Sequence, residues 1–331
     1  MRKRQRKPQW KIKLMVIPIA SIIVCIVLAL FALCYFVLQD SGNFKPNIAE
    51  VRTPDVIAEP MPHSDMPTQG MSTDNPQNMI WLSEPGDFSA AFPSEDTGAG
   101  ALYSYQSDSL RIAINKVQEN EITYYVADIW IKSINAFQTA FAYGQYGQGI
   151  DEKPVTMAVN SNAILAVTGD YYGARAEGIV IRNSKIYRDT LWNDVAVLFD
   201  DGTMETYTKD EFSIDTTIER HAYQAWSYGP ELLKNGQPVE EFTTKAANPR
   251  CAIGYYEPGH YCLVVVDGRQ PGYSVGMTLV ELSKVFYDLG CKAAYNLDGG
   301  QTAMMIFEGK PVNQAYHGGR QCSDIIYFAE K

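Results

Sequence analysis

The chain has 331 residues, 46% hydrophobic and 20% charged, which is enough to bury a sizeable core in one or two domains and too apolar for a disordered protein. Its net charge is −10, but seven of its 28 basic residues precede position 14. The rest therefore sets 21 basic against 38 acidic side chains, a net −17. Such a surface repels nucleic acid and argues against it as a partner. An anionic ligand must be held by particular arginines rather than by the bulk field.

The basic tail spans residues 1–13 and carries Arg2, Lys3, Arg4, Arg6, Lys7, Lys11 and Lys13. Residues 14–38 follow with no charged side chain. At about 1.5 Å per residue that run is long enough to cross a hydrocarbon layer of about 30 Å. A cleaved signal peptide has a shorter apolar region ending in a small-residue site, and Gln39-Asp40-Ser41 is not one. The expectation is one transmembrane helix in the cell membrane. The positive-inside rule puts the N-terminus in the cytoplasm and the C-terminal domain outside it. Residues 39–100 hold 8 of the 17 prolines and are strongly acidic, which reads as a solvated tether.

From about residue 101 to 331 the pattern changes to short alternating runs at 110–114, 122–131, 164–167, 178–181 and 195–199. Period-2 alternation bounded by turn residues predicts β-strands. Asn183-Ser184, Asp201-Gly202, Asn235-Gly236 and Glu308-Gly309 are placed for hairpins. One helix is clear: Thr278 and Glu281 form a capping box, and Leu279, Leu282, Val285, Phe286 and Leu289 make one apolar stripe ended by Gly290. A second, weaker helix is expected over 158–163. The fold class is α+β, a mixed β-sheet-rich single domain with few helices, preceded by one transmembrane helix. Cys251, Cys262, Cys291 and Cys322 allow three pairings or none, and no cysteine has metal-ligand spacing.

The informative stretches are four strand ends that break into glycine and polar residues. Gly169-Asp170 leads to Arg182, Asn248-Pro249-Arg250 opens a strand, Asp267-Gly268-Arg269 closes one, and Asn296-Leu297-Asp298-Gly299-Gly300-Gln301-Thr302 closes another. Each puts a carboxylate or guanidinium where glycine lets backbone approach a ligand, and four such endings predict a shared site.

The runs Asn-Pro-Arg-Cys-Ala-Ile-Gly, Asp-Gly-Arg-Gln-Pro-Gly-Tyr-Ser-Val-Gly and Asn-Leu-Asp-Gly-Gly, with Gly169-Asp170-Tyr171-Tyr172 before them, resemble the phosphodiester glycosidase family over about residues 102–330. The resemblance implies hydrolysis of a glycosidic bond whose aglycone is phosphate. Asp170 and Asp298 are then the catalytic carboxylates, one as nucleophile or base and the other as acid or sugar ligand. Arg250 and Arg269 are phosphate clamps and Arg182 a third. Asp267 orients Arg269 or joins the catalytic set, Asn296 binds a sugar hydroxyl, the Gly299 and Gly300 amides form an anion nest, and Thr302 and His317 contact substrate. No metal is required, although the clustered oxygens leave Ca²⁺ or Mg²⁺ open.

The expected substrate is a sugar-1-phosphodiester of a cell-envelope glycan or exopolysaccharide. Thr168 replaces an Asn of the family pattern, and Gln301-Thr302 replaces Gly-Ser. Those two departures keep an alternative open, a non-catalytic polysaccharide-binding or exopolysaccharide assembly protein with a degenerate site.

Overall fold

The computed structural model describes residues 86–95 and 98–330. The basic tail, the span at 14–38 and most of the tether lie outside the described residues, among which no helix is long and apolar enough to cross a membrane. Residues 86–95, counted above with the tether, pack on the domain instead. Phe88 is 6% exposed, its amide donates to the Lys132 carbonyl at 2.7 Å, and Gly86 donates to Asp200 at 3.2 Å.

The strands run β1 (Tyr103–Gln106), β2 (Leu110–Glu119), β3 (Ile122–Ile131), β4 (Phe137–Phe141), β5 (Leu165–Thr168), β6 (Val180–Arg182), β7 (Lys185–Arg188), β8 (Val195–Phe199) and β9 (Met204–Tyr207). They continue with β10 (Ala222–Trp226), β11 (Leu233–Lys234), β12 (Gln237–Pro238), β13 (Arg250–Glu257), β14 (His260–Val266), β15 (Ala293–Asn296), β16 (Met305–Phe307), β17 (Lys310–Pro311) and β18 (Asp324–Phe328). Three short helices, α1 (Pro154–Asn160), α2 (Ile214–Glu219) and α3 (Leu279–Asp288), complete the regular structure.

Three sheets converge on one core. Their orders are β1-β2-β3-β14-β13-β15, β7-β6-β10-β8-β9 and β17-β16-β5-β18-β4, with β11-β12 as a separate ribbon. In β14, Tyr261, Leu263 and Val265 enter the central core, while Cys262, Val264 and Val266 face α3 through Leu279, Leu282 and Phe286. Burial of both faces is why this strand reads as a continuous apolar run. A mixed sheet was expected, but every pairing among the described strands is antiparallel. Tight hairpins join antiparallel neighbours, whereas parallel pairs need long crossovers that the short helices do not supply.

The four predicted hairpins are present. At Asn183-Ser184, Asn235-Gly236 and Glu308-Gly309 both turn residues have positive φ, the signature of the turn that matches strand twist. The capping box at Thr278 and Glu281 is formed in both directions. The weaker helix starts earlier than expected, because Pro154 occupies its first turn. All four described cysteines are free and buried.

Candidate active site

Strand ends from two sheets meet along one seam. The Asp298 amide donates to the Gly169 carbonyl at 3.0 Å, Leu297 to Cys251 at 2.8 Å and Gly300 to Pro249 at 2.9 Å, so β5, β13 and β15 end against one another. Gly169 is dictated by close approach, since a Cβ there would sit 2.2 Å from Asp324 Oδ1. The seam brings Asp170 and Asp298 together as neighbours, yet their carboxylates live in different surroundings.

Asp170 is fully buried. Its Oδ1 lies 2.8 Å from Arg182 Nη2, and its Oδ2 accepts from the Ser227 amide at 3.0 Å. Arg182 in turn donates from Nε to Asp324 Oδ2 at 3.0 Å and from Nη1 to the carbonyls of Ile181 and Ala225. Burial and the neighbouring Asp170 push the Asp324 carboxyl above its ordinary range, against the pull of Arg182.

Asp298 is 4% exposed, and its Oδ2 accepts from Thr302 Oγ1 at 2.6 Å, with Arg320 Nη2 at 3.8 Å. Burial, with Asp170 adding to it, pushes its carboxyl up to about 6; the Thr302 bond, Arg320 and Arg175 pull the other way. The Tyr228 phenol stands near the same carboxylate, and burial, with Asp298 adding to it, pushes it up to about 12 although Arg175 and Arg250 pull the other way. Arg250 is 9% exposed and donates from Nε to Met277 O at 3.0 Å and from Nη2 to Ala246 O at 2.9 Å. Arg269 sits in the left-handed region at φ 59, bonds Asn248 Oδ1 from Nε and Nη2 at 3.2 and 3.0 Å, and lies over Tyr316 and beside Gly300. Neither Arg250 nor Arg269 forms an ion pair with a carboxylate among the described residues.

A family model described as phosphodiester glycosidase matches residues 161–329, which contain every one of these groups. The chain belongs to the phosphodiester glycosidase family. An uncharacterised SPbeta prophage-derived protein of Bacillus subtilis, YomE, is 29% identical over 223 residues, 60% of this chain. This chain spans only 34% of that relative's length. Among solved structures, the catalytic domain of zebrafish N-acetylglucosamine-1-phosphodiester alpha-N-acetylglucosaminidase, described as auto-inhibited by its pro-peptide, superposes at a TM-score of 0.54 and 17% identity. The match covers 79% of this chain and 100% of that one. A hypothetical protein from Synechocystis superposes at a TM-score of 0.53 and 14% identity, over 69% of this chain and 64% of its own. At these identities both likenesses speak for the fold.

Within this family member the residues expected to act at one site divide. Thr302 bonds the Asp298 carboxylate, and Arg250 and Arg269 lie against the Gly299-Gly300 turn that follows it. The Arg182 guanidinium is occupied by two carboxylates and two carbonyls and bonds none of these groups. Asp170 is sealed beneath the same ion pair and presents no free carboxylate.

Asp267 is also withdrawn. Its oxygens accept from Asn313 Nδ2 at 2.8 Å, Tyr273 Oη at 2.8 Å and the Gln314 amide at 3.0 Å, and Asn248 rather than Asp267 orients Arg269. The Gly300 amide already serves Pro249, so the expected nest at Gly299 and Gly300 is at most half available. Asn296 donates to Gly229 O at 2.7 Å and keeps a buried Oδ1 without a partner. His317 is exposed at the rim, its ring against Tyr316. No three His, Cys, Asp or Glu side chains among the described residues cluster to hold a metal ion.

The two departures from the family pattern are accommodated. Thr168 Oγ1 donates to the Asp298 carbonyl at 3.3 Å, and the Gln301 side chain turns aside to the Gly319 carbonyl at 3.2 Å. Sequence reasoning missed Tyr228, Arg175, Arg320 and Asp324. Tyr228 stands in Ser227-Tyr228-Gly229-Pro230, one more apolar strand breaking into glycine, and Arg320 follows Gly318-Gly319. The same rule applied to every strand end finds both.

Proposed function

We propose that the domain hydrolyses sugar-1-phosphodiesters, with Asp298 as the carboxylate that acts at the anomeric carbon and Arg250 and Arg269 as the phosphate-holding pair. The observation that carries this reading is a buried carboxylate, Asp298, whose following Gly299-Gly300 turn is approached by Arg250 and Arg269, two arginines without a carboxylate ion pair among the described residues. Cleavage of the anomeric C–O bond develops positive charge on the sugar and negative charge on the departing phosphate. Asp298 answers the first and the arginines answer the second.

Asp170 is held by Arg182 at 2.8 Å whereas the ion pair of Asp298 with Arg320 is 3.8 Å long, which leaves Asp298 alone to act, and the chemistry tolerates this. Phosphate leaves as a stable anion held by arginine and needs no second carboxylic acid to protonate it. Water forms the new bond to the anomeric carbon, the electrons of the broken bond go to the phosphate oxygen, and ionised Asp298 takes the water's proton. Asn296 Oδ1 and His317 are the further sugar contacts. The transmembrane helix at 14–38 would hold the domain on the outer face of the cell membrane, where envelope glycans or exopolysaccharides supply the substrate.

The test is release of reducing sugar and phosphomonoester when the full chain is incubated with N-acetylglucosamine-1-phosphodiesters and other sugar-1-phosphodiesters. Turnover of any of them is the expected result. Tight binding without release would replace the enzyme by the polysaccharide-binding reading, which the Gln301-Thr302 departure otherwise favours.

A further inference from the structure

Tyr228 stands near both Asp298 and Arg250, and Arg175, which also acts on Asp298, packs against it. The Arg175 guanidinium carbon lies 5.5 Å from the Tyr228 ring centroid and 4.3 Å from that of Trp192. Arg175 is not free to swing: its Nη2 donates to Asp170 O at 2.9 Å and Ser227 O at 3.3 Å, and Gln148 and Arg188 both donate to its carbonyl. Trp192 lies in the loop between β7 and β8, and its neighbour Asn193 ties that loop to the Tyr228 carbonyl at 2.7 Å. A fixed guanidinium therefore backs an indole that is 38% exposed, beside the carboxylate assigned to catalysis.

An indole held in place beside a catalytic carboxylate offers a large, rigid ring whose face carries negative charge density. The apolar face of a pyranose, with its polarised C–H bonds, is the matching partner. Phosphate goes to Arg250 and Arg269, so the sugar whose bond is cut needs a separate surface near Asp298, and Arg175, which acts on Asp298, packs against the Trp192 ring. We propose that Trp192, held by Arg175 and bordered by Tyr228, is the stacking platform that binds this glycone. The inference rests on the proposed function for which sugar is cut, but the platform itself is separable from the chemistry.

The experiment compares the wild-type full chain with Trp192→Ala and Trp192→Phe. On any sugar-1-phosphodiester that is turned over, Trp192→Ala raises KM about 10-fold or more with kcat nearly unchanged, and Trp192→Phe keeps most of the affinity. Competitive inhibition by inorganic phosphate is the same in all three proteins, because Arg250 and Arg269 are unchanged in them. A KM for Trp192→Ala within about twofold of wild type overturns the platform.

If the wild type turns over nothing, the proposed function fails but the platform is still tested. Free aldohexoses and N-acetylhexosamines are titrated while tryptophan fluorescence is followed. A sugar-dependent change present in wild type and absent in Trp192→Phe supports the subsite. Identical traces in the two proteins, for every sugar tried, overturn it.

Discussion

Two charged centres share the seam between the sheets, and they use the same residue types to opposite ends. In the first, Asp170 and Asp324 are both paired to the one guanidinium of Arg182, whose remaining donor reaches backbone carbonyls. In the second, Asp298 meets Thr302 and Tyr228, while Arg250 and Arg269 find only carbonyl and amide oxygens. Both begin as an apolar strand ending in glycine and aspartate. What separates a structural ion group from a ligand site is therefore whether its charges are matched inside the protein. Matched buried charges add little net stability but are hard to break singly; unmatched ones await an opposite charge from outside.

The largest expected effect tests the first centre. Arg182→Leu leaves two buried carboxylates facing each other and should lower the stability of the domain by about 3–5 kcal/mol in urea unfolding. An unchanged midpoint would mean that the triad does not hold the seam, and the contrast between the two centres would collapse. Asp298→Asn tests the second. Sugar release should fall about 10²–10⁴-fold, the range for a lost general base.

Its stability should move in the other direction. The Asp298 carboxyl is raised from 3.8 to about 6 in the folded chain, so folding favours its protonated form. Wild type therefore loses stability to this group as pH rises from about 4 through about 6, by roughly 3 kcal/mol, and Asp298→Asn is spared that loss. A variant both inactive and less stable at pH 8 would make Asp298 a structural residue like Asp170.

Much of this was legible in the sequence. Hairpins, the capped helix and the strand ends follow from turn chemistry and periodicity, which are local properties. The pairing of charges is not local. Arg182 lies 12 residues from Asp170 but 142 from Asp324, and nothing near either position announces that a second carboxylate will close on the guanidinium. The signal available was Asp324 itself, an acid within the apolar run Cys-Ser-Asp-Ile-Ile-Tyr-Phe, since a lone charge in a buried strand must have a partner. Asp267 misled for the related reason that Tyr273, Asn313 and Gln314, which occupy its oxygens, come from two different loops.

The finest comparison concerns how Asp298 is tuned, and it is read from the pH dependence of turnover. An ionised Asp298 acting on water gives activity that rises with pH through a midpoint near 6. Thr302 donates to the charged form, so Thr302→Val should move that midpoint upward by about one unit, the equivalent of one hydrogen bond to a charged group. Arg320 also favours the charged form, but its guanidinium is 3.8 Å away and its side chain 40% exposed. Water and salt screen such a pair, so Arg320→Met should shift the midpoint upward by only about a few tenths of a unit, and less as salt is raised. Activity that instead falls as pH rises through that midpoint would mean that protonated Asp298 is the active form. The carboxyl would then be donating a proton to the departing phosphate, and the water would have to find its base elsewhere in the cleft.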